Sequence, residues 1–320
     1  MNEARTALQQ VMKDVNSIIL GKEEQVKQII LALLSGGHVL LTDLPGTGKT
    51  TLAETIAREM ELDYKRVQFT PDVLPSDLTG FSMYQKETEQ FVYQPGSVFC
   101  NLLLADEINR TSPKTQSALL EVMEEGTVSV EGVTRKVPSP FFVIATQNPE
   151  GSAGTQPLPE SQMERFMICL SLGYPDFDSE LAMIMGKGGR TAIETVKQNL
   201  DIQTLQAVQK QVDEVFAGEE VSAYIVNLVR GTRVHQRLLQ GASPRAGIAL
   251  CQMAKAAAWL DGREFVMPKD VQEVFPYVMG HRIRTDRSGE ENQAEKAEIL
   301  SEILTRTKKP AMGKKYGAKL

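Results

Sequence analysis

The run from His38 to Ala57, HVLLTDLPGTGKTTLAETIA, restricts this chain more than any other feature. An apolar strand, a glycine-rich turn and an amphipathic helix follow one another directly. The Gly-Lys-Thr at the end of the turn fits a phosphate-binding loop, in which successive backbone N–H groups and the helix N-terminus face an anion. Such a loop leaves the end of a strand, and its helix must pack back onto a sheet. One position departs from the pattern: counting back five from Gly48 should give glycine, and Asp43 stands there. Two like charges at about 4 Å cost on the order of 4 kcal/mol at an effective dielectric near 20. Asp43 is therefore expected to point away from bound phosphates or to pair with a cation.

The surrounding pattern supplies the sheet. KEEQVKQIILALLSGG reads as a helix stopped by glycines, HVLLT as a strand, GKTTLAETIAREM as a helix, and KRVQF and NLLLADE as strands. SPKTQSALLEVMEEG starts on Ser-Pro and stops on Gly, as a capped helix does, and FFVIATQN is a further buried strand. Alternation of this kind predicts an α/β core with a doubly wound parallel sheet. Two segments interrupt it and read as inserted hairpins, near 80–97 and 126–137, the second turning at Glu131-Gly132. From about Asp176 only helical spacing remains. The expected organisation is an α/β domain over 1–173, a smaller all-helical domain over 174–305 and a basic, unpatterned tail over 306–320.

Composition narrows the partners. A net charge of −6 and a pI near 5.4 weigh against nucleic acid as the main ligand. No run of eighteen apolar residues is present, so no membrane span is expected, and the polar start MNEARTALQQVMKDV lacks the apolar core of a signal peptide. Cys100, Cys169 and Cys251 are far apart in apolar surroundings, which suggests buried thiols in a reducing cytoplasm.

In the loop, Gly46 and Gly48 allow the close bend, Lys49 is placed for the β and γ phosphates, and Thr50 for Mg²⁺, within a cradle spanning Pro45, Gly46, Thr47, Gly48, Lys49, Thr50 and Thr51. About fifty-five residues on, NLLLADEIN ends an apolar strand in Asp106-Glu107. One carboxylate can hold Mg²⁺ through water while the other activates the attacking water. Asn148, at the end of FFVIATQNP, can orient that water; a simple Asn-Pro strand-end turn is the alternative. Arg165 in PLPESQMERF is suited to a transferring phosphate, the alternative being a surface pair with Glu160 or Glu164. Arg245 in GASPRAGIAL falls in the first turn of a helix, where the dipole disfavours a cation, so an anionic partner is expected, a solvated arginine being the alternative.

With those pieces in order, the chain resembles the MoxR family of AAA+ ATPases. The resemblance extends over nearly all 320 residues and rests on IILGKEEQVKQIILALLSGGHVLLTDLPGTGKT, RVQFTPDVLPSDLTGF, PGSVFCNLLLADEINRTSPKTQSALLEVMEEGTVSV, FFVIATQNP, LPESQMERF and GASPRA. Members often carry an acidic residue where Asp43 stands. The resemblance implies that Ile19, Leu20 and Gly21 lie against the adenine, that Asn148 is sensor 1, Arg165 an arginine finger acting in trans and Arg245 sensor 2. The helical domain would be the lid, and both hairpins would face the pore of a homo-oligomeric, hexameric ring. It further implies Mg-ATP hydrolysis, a chaperone-like role in maturing or activating protein complexes, and a partner with a von Willebrand factor A domain. The usual aromatic-glycine pore loop is not evident, although Phe81 and Tyr84 lie in the first insert. Two other readings compete. A nucleic-acid remodeller requires basic hairpin tips, and a nucleotide-dependent scaffold would barely turn ATP over.

Overall fold

The computed structural model describes residues 2–43, 46–148, 158–286 and 289–310. Pro45 and the tail from 311 onward lie outside the described residues. The chain begins with α1 (Asn2–Ile18), α2 (Glu23–Leu34), β1 (Val39–Thr42), α3 (Lys49–Glu59), β2 (Tyr64–Gln68) and α4 (Pro75–Thr79). There follow β3 (Phe81–Gln85), β4 (Gln90–Gln94), β5 (Leu102–Asp106), α5 (Pro113–Glu125), β6 (Thr127–Val130), β7 (Val133–Lys136), β8 (Phe142–Gln147), α6 (Glu160–Met163) and β9 (Ile168–Leu170). The helices α7 (Phe177–Ile184), α8 (Ile202–Glu214), α9 (Glu219–Val234), α10 (Pro244–Leu260), α11 (Pro268–Met279) and α12 (Gly289–Arg306) complete it.

Five strands form one sheet in the order β2-β5-β8-β1-β9, and every pairing in it is parallel. The chain leaving β1 passes β8 and β5 to reach β2, whereas β9 returns to the other side of β1. In sheets of this kind ligands bind at the carboxyl ends of the strands, where the order reverses. All of β5 and all but the last residue of β8 are buried, as expected for strands covered on both faces. Phe69, Leu103, Leu119, Leu120, Val143 and Phe166 are among the residues that fill the core on one side.

Local signals explain the elements around the site. Gly48 is left-handed at φ 85° and caps the start of α3. Ser112 accepts from the Thr115 N–H at 3.3 Å, Pro113 takes the first turn of α5, and Gly126 ends it at φ 62°. Glu131 and Gly132 both have positive φ, the geometry that joins β6 to β7 in a tight hairpin. The two hairpins meet, since Ser82 donates to Glu131 at 2.5 Å and the Arg135 guanidinium lies 3.8 Å over the Tyr93 ring. Cys100 is buried, whereas Cys169 and Cys251 are only partly so.

Four elements of the first unit went unread in the sequence: α1, α4, α6 and β9. β9 spans only three residues and is too short to show a period, yet it pairs with β1 from Val39↔Ile168 to Leu41↔Leu170. The division of the chain also differs from the expected 173/174. One compact unit ends at Lys210 and the other begins at Gln211, within α8. The segment after β9 stays with the sheet because its backbone is tied there. Gly189 N–H donates to Ile18 O at 3.1 Å, Leu200 N–H to Glu59 O at 3.0 Å, and Arg58 to Ile193 O at 2.9 Å. Helical composition begins near Gly173, but packing follows these bonds.

The second unit is helical, with Trp259, Tyr224 and Phe275 fully buried. Its α11 is capped by Asp270, which accepts from the Met267 N–H at 2.7 Å and takes two bonds from Arg263 at 2.6 Å.

Candidate nucleotide site

The carboxyl ends of β1 and β5 meet at Lys49, and that of β8 reaches Glu107 through Asn148. Lys49 is buried at the first position of α3 and donates to the Asp43 carbonyl at 3.1 Å. Burial lowers its pKa, and the charges of Asp43, Asp106 and Glu107 oppose that shift. The lysine is thus held at the loop among three carboxylates. Gly46 and Gly48 bend at φ 88° and 85°, with Thr47 between them and Thr50 and Thr51 following in the helix. Ile19 approaches this turn, since a Cβ on Gly48 would lie 3.9 Å from its Cδ1. Gly21 is left-handed at φ 69° and packs so closely that a Cβ would fall 2.5 Å from Ser179 Oγ.

Asp43 turns away from the loop, one of the two outcomes the charge argument allowed. It is 4% exposed. Its carboxylate accepts from Ser171 Oγ at 2.6 Å, the Leu172 N–H at 2.8 Å and the Gly173 N–H at 2.9 Å. Three donors beyond β9 hold the carboxylate, whose charge still acts on Lys49.

Asp106 ends β5 and accepts from Arg66 at 2.7 Å on one oxygen and from Thr146 Oγ1 at 2.7 Å on the other. Glu107 follows in a left-handed conformation, φ 57°, its N–H held by Thr146 Oγ1 at 2.8 Å. Its carboxylate accepts from Arg110 at 2.7 Å and from Asn148 Nδ2 at 3.2 Å. Burial pushes the Glu107 carboxyl up, but donation from Arg110 and Asn148 and the Arg110 charge outweigh it and leave it below the ordinary range. Asn109 clamps the strand end by bonding both the N–H and the carbonyl of Asn148 at 3.2 Å.

The first unit thus gathers Ile19, Gly48, Lys49, Asp106, Glu107 and Asn148 around one loop, with Leu20 and Gly21 adjoining Ile19. Arg165 stands after α6 and pairs with Glu124 of α5 at 3.1 Å. The sequence had suggested Glu160 or Glu164 as surface partners; the pair with Glu124 crosses between elements instead. Arg245 belongs to the second unit, exposed in the first turn of α10. Pro45 lies outside the described residues.

Sequence reasoning missed Arg66, Asn109, Arg110 and Thr146. Only Arg110 left a local signal, three residues after Glu107. The others act across strands whose pairing is non-local.

The donor set fits a magnesium ion. Among the described residues no cluster of three or more His, Cys, Asp or Glu could hold a metal unaided. Magnesium, however, keeps several waters and takes one or two protein oxygens together with phosphates. Thr50 offers a hydroxyl, and each carboxylate oxygen of Asp106 retains acceptor capacity beyond its one bond.

A phosphate-loop α/β unit followed by a helical unit defines an ATPase of the AAA class. The family profile for ATPases associated with various cellular activities matches residues 38–168, and that for the AAA lid domain matches 230–303. YeaC of Bacillus subtilis is 43% identical over 303 residues, which is 95% of each chain. Chaperone MoxR1 of Mycobacterium tuberculosis is 40% identical over 285 residues, 86% of this chain and 75% of that one. The crystal structure of a candidate ATPase from Cytophaga hutchinsonii superimposes with a TM-score of 0.85 at 35% identity and covers 96% of both chains. The chain belongs to the MoxR family of AAA+ ATPases. Nucleotide binding follows from that membership. No described helix is long and apolar enough to cross a membrane.

Proposed function

We propose that the chain hydrolyses Mg-ATP and uses the cycle to remodel other protein assemblies in the cytoplasm. One observation carries the hydrolytic reading. Glu107, an ionised carboxylate beside the buried Lys49, shares its oxygen with Asn148, so a base and an orienting amide already converge on one point.

In this reading Pro45 to Thr51 hold the triphosphate, Lys49 turns from the Asp43 carbonyl to the β and γ phosphates, and Ile19 to Gly21 line the adenine. Thr50 and Asp106 would hold Mg²⁺, which when bound neutralises charge developing on the phosphate oxygens. Glu107 takes a proton from the attacking water while Asn148 fixes that water's position. To do so Glu107 must loosen its bond to Arg110, which now occupies one carboxylate oxygen. Arg165, restrained by Glu124, would complete the site of a neighbouring copy in a homo-oligomeric ring, six-membered by family likeness. Arg245 would sense the γ phosphate from the lid.

The name of the M. tuberculosis relative supports a chaperone-like role, and a von Willebrand factor A-domain partner is proposed with it. A nucleic-acid remodeller needs basic hairpin tips, whereas the first tip is mixed, with Lys86 beside Glu87 and Glu89, and the second turns at Glu131, with Arg135 engaged by Tyr93 and only Lys136 exposed behind it.

The test is Glu107→Gln, which should bind ATP with near wild-type affinity and lose about 10²–10⁴-fold in turnover. Near-normal turnover would remove Glu107 as the base. Arg165→Ala should keep binding and lose turnover, and normal hydrolysis by it would remove the finger.

A further inference from the structure

Both contact points of the nucleotide reading are tied to one short segment. At the phosphate end, Asp43 holds Ser171, Leu172 and Gly173 through three hydrogen bonds of 2.6–2.9 Å. At the base end, Lys22, itself buried, donates to the Tyr174 carbonyl at 2.7 Å. Beside it Gly21 abuts Ser179, and Asp176 caps α7 by accepting from the Ser179 N–H at 2.8 Å. Residues 171–179 are therefore held by the loop that would cradle phosphate and by the turn that would line the base.

We infer that residues 171–179 form a strap that registers nucleotide occupancy at both ends, with Asp43 and Lys22 as its two anchors. The inference rests on the nucleotide-site reading and goes beyond it by giving the odd residue of the loop a task. A glycine at position 43 would serve phosphate binding equally well but would hold nothing. The carboxylate joins the first residue of the loop to the main chain beyond β9. The Asp43 carbonyl is also the acceptor of Lys49. When Lys49 turns to a phosphate it gives up that carbonyl, and the backbone bearing the Asp43 carboxylate loses a restraint. The change reaches Leu172 and Gly173 through charge-assisted bonds, which are about twice as strong as neutral ones. Asp43 acts here as a positioning residue and touches no reacting atom.

Amide hydrogen exchange of the full chain tests this, with Mg²⁺ and the non-hydrolysable analogue adenylyl imidodiphosphate as probe and a binding titration on the same samples. In the wild type the analogue should change exchange at Leu172 and Gly173 by about fivefold or more. Asp43→Gly, with its own affinity measured and the analogue held at saturation, should exchange these amides about tenfold faster and show no difference on adding it. Asp43→Asn keeps one acceptor oxygen and should give an intermediate response; it carries the test if the glycine variant does not melt cooperatively. Lys22→Met should keep the response at Leu172 and Gly173 and lose it at Ser179.

A wild-type response retained in both Asp43 variants, or no response in a wild type that binds the analogue, overturns the strap alone. A response at Ser179 that survives Lys22→Met removes Lys22 as an anchor. A wild type that fails to bind the analogue overturns the nucleotide-site reading, and the strap falls with it.

Discussion

The two ends of α3 each carry a buried charge of the wrong sign for a helix terminus. Lys49 stands at the N-terminus, where the dipole favours anions, and Glu59 at the C-terminus, where it favours cations. The conflict is relieved differently at each end. Around Lys49 the charges of Asp43, Asp106 and Glu107 compensate, leaving a cation next to two left-handed glycines. Around Glu59 no cation among the described residues stands in compensation. Asn199 donates to it at 2.6 Å, Asp14 adds a second negative charge, and burial with that neighbour raises its pKa to about 7. At one end carboxylates oppose the loss of the lysine's charge, whereas at the other burial pushes the glutamate towards holding a proton. A buried charge marks function only where the surroundings are built to keep it ionised.

The largest effect that could break this contrast is at Lys49. Lys49→Ala should abolish ATP binding, by at least about 100-fold in a titration, with little change in melting temperature. Tight binding by this variant would rule out the loop as the phosphate site.

The next effect concerns stability and pH. Glu59 has a folded pKa above its unfolded value of 4.5, so between pH 4.5 and about 7 the native state holds a proton that the unfolded chain has released. Its contribution is full below pH 4.5 and is lost as pH rises through 7. Glu59→Gln should therefore stabilise the protein by up to about 3 kcal/mol at pH 8 and by little at pH 4.5, read from denaturant unfolding. A pH-independent effect would show that folding leaves the Glu59 pKa unshifted.

His38 sharpens the comparison with the opposite sign. It accepts from the Val143 N–H at 3.0 Å through Nδ1, so Nε2 carries the proton and donates to the Met123 carbonyl at 3.0 Å. Burial lowers its pKa to about 4, only partly opposed by the Met123 bond. Below pH 6.5 the unfolded chain takes up a proton that the native state refuses, so stability falls as pH drops towards 4. Between about pH 4.5 and 6.5 the two groups oppose each other. The Glu59→Gln variant should expose the His38 slope as a steeper acid loss of up to about 3 kcal/mol.

The smallest effect is at Arg110. Arg110→Ala removes a donor and a charge from Glu107, so the acid limb of the turnover profile should move to higher pH. An unmoved limb would mean that Asn148 alone keeps Glu107 ionised.

These residues divide by how far their partners lie along the chain. Gly48, Lys49, Asp106 and Asn148 were legible because each ends an apolar strand or opens a helix, and parallel strands bring such ends together. The partners of Asp106 were not legible, since Arg66 and Thr146 reach it from β2 and β8, some forty residues away on either side. The Asp43 problem could be posed from sequence, but its solution lies about 130 residues downstream, at Ser171 to Gly173. Glu59 gave no signal at all: a glutamate near a helix end reads as solvated until Asn199 and Leu200 are seen to cover it.

The central claim is that the chain hydrolyses ATP at a site completed by a neighbouring copy. ATPase turnover per subunit, measured against protein concentration with Mg²⁺ and with Lys49→Ala as control, tests it most directly. A steep rise with concentration that levels off as subunits associate, absent from the control, is the predicted result. Turnover no higher than that of Lys49→Ala at any concentration would contradict it, as would full turnover by a chain that sediments as a monomer.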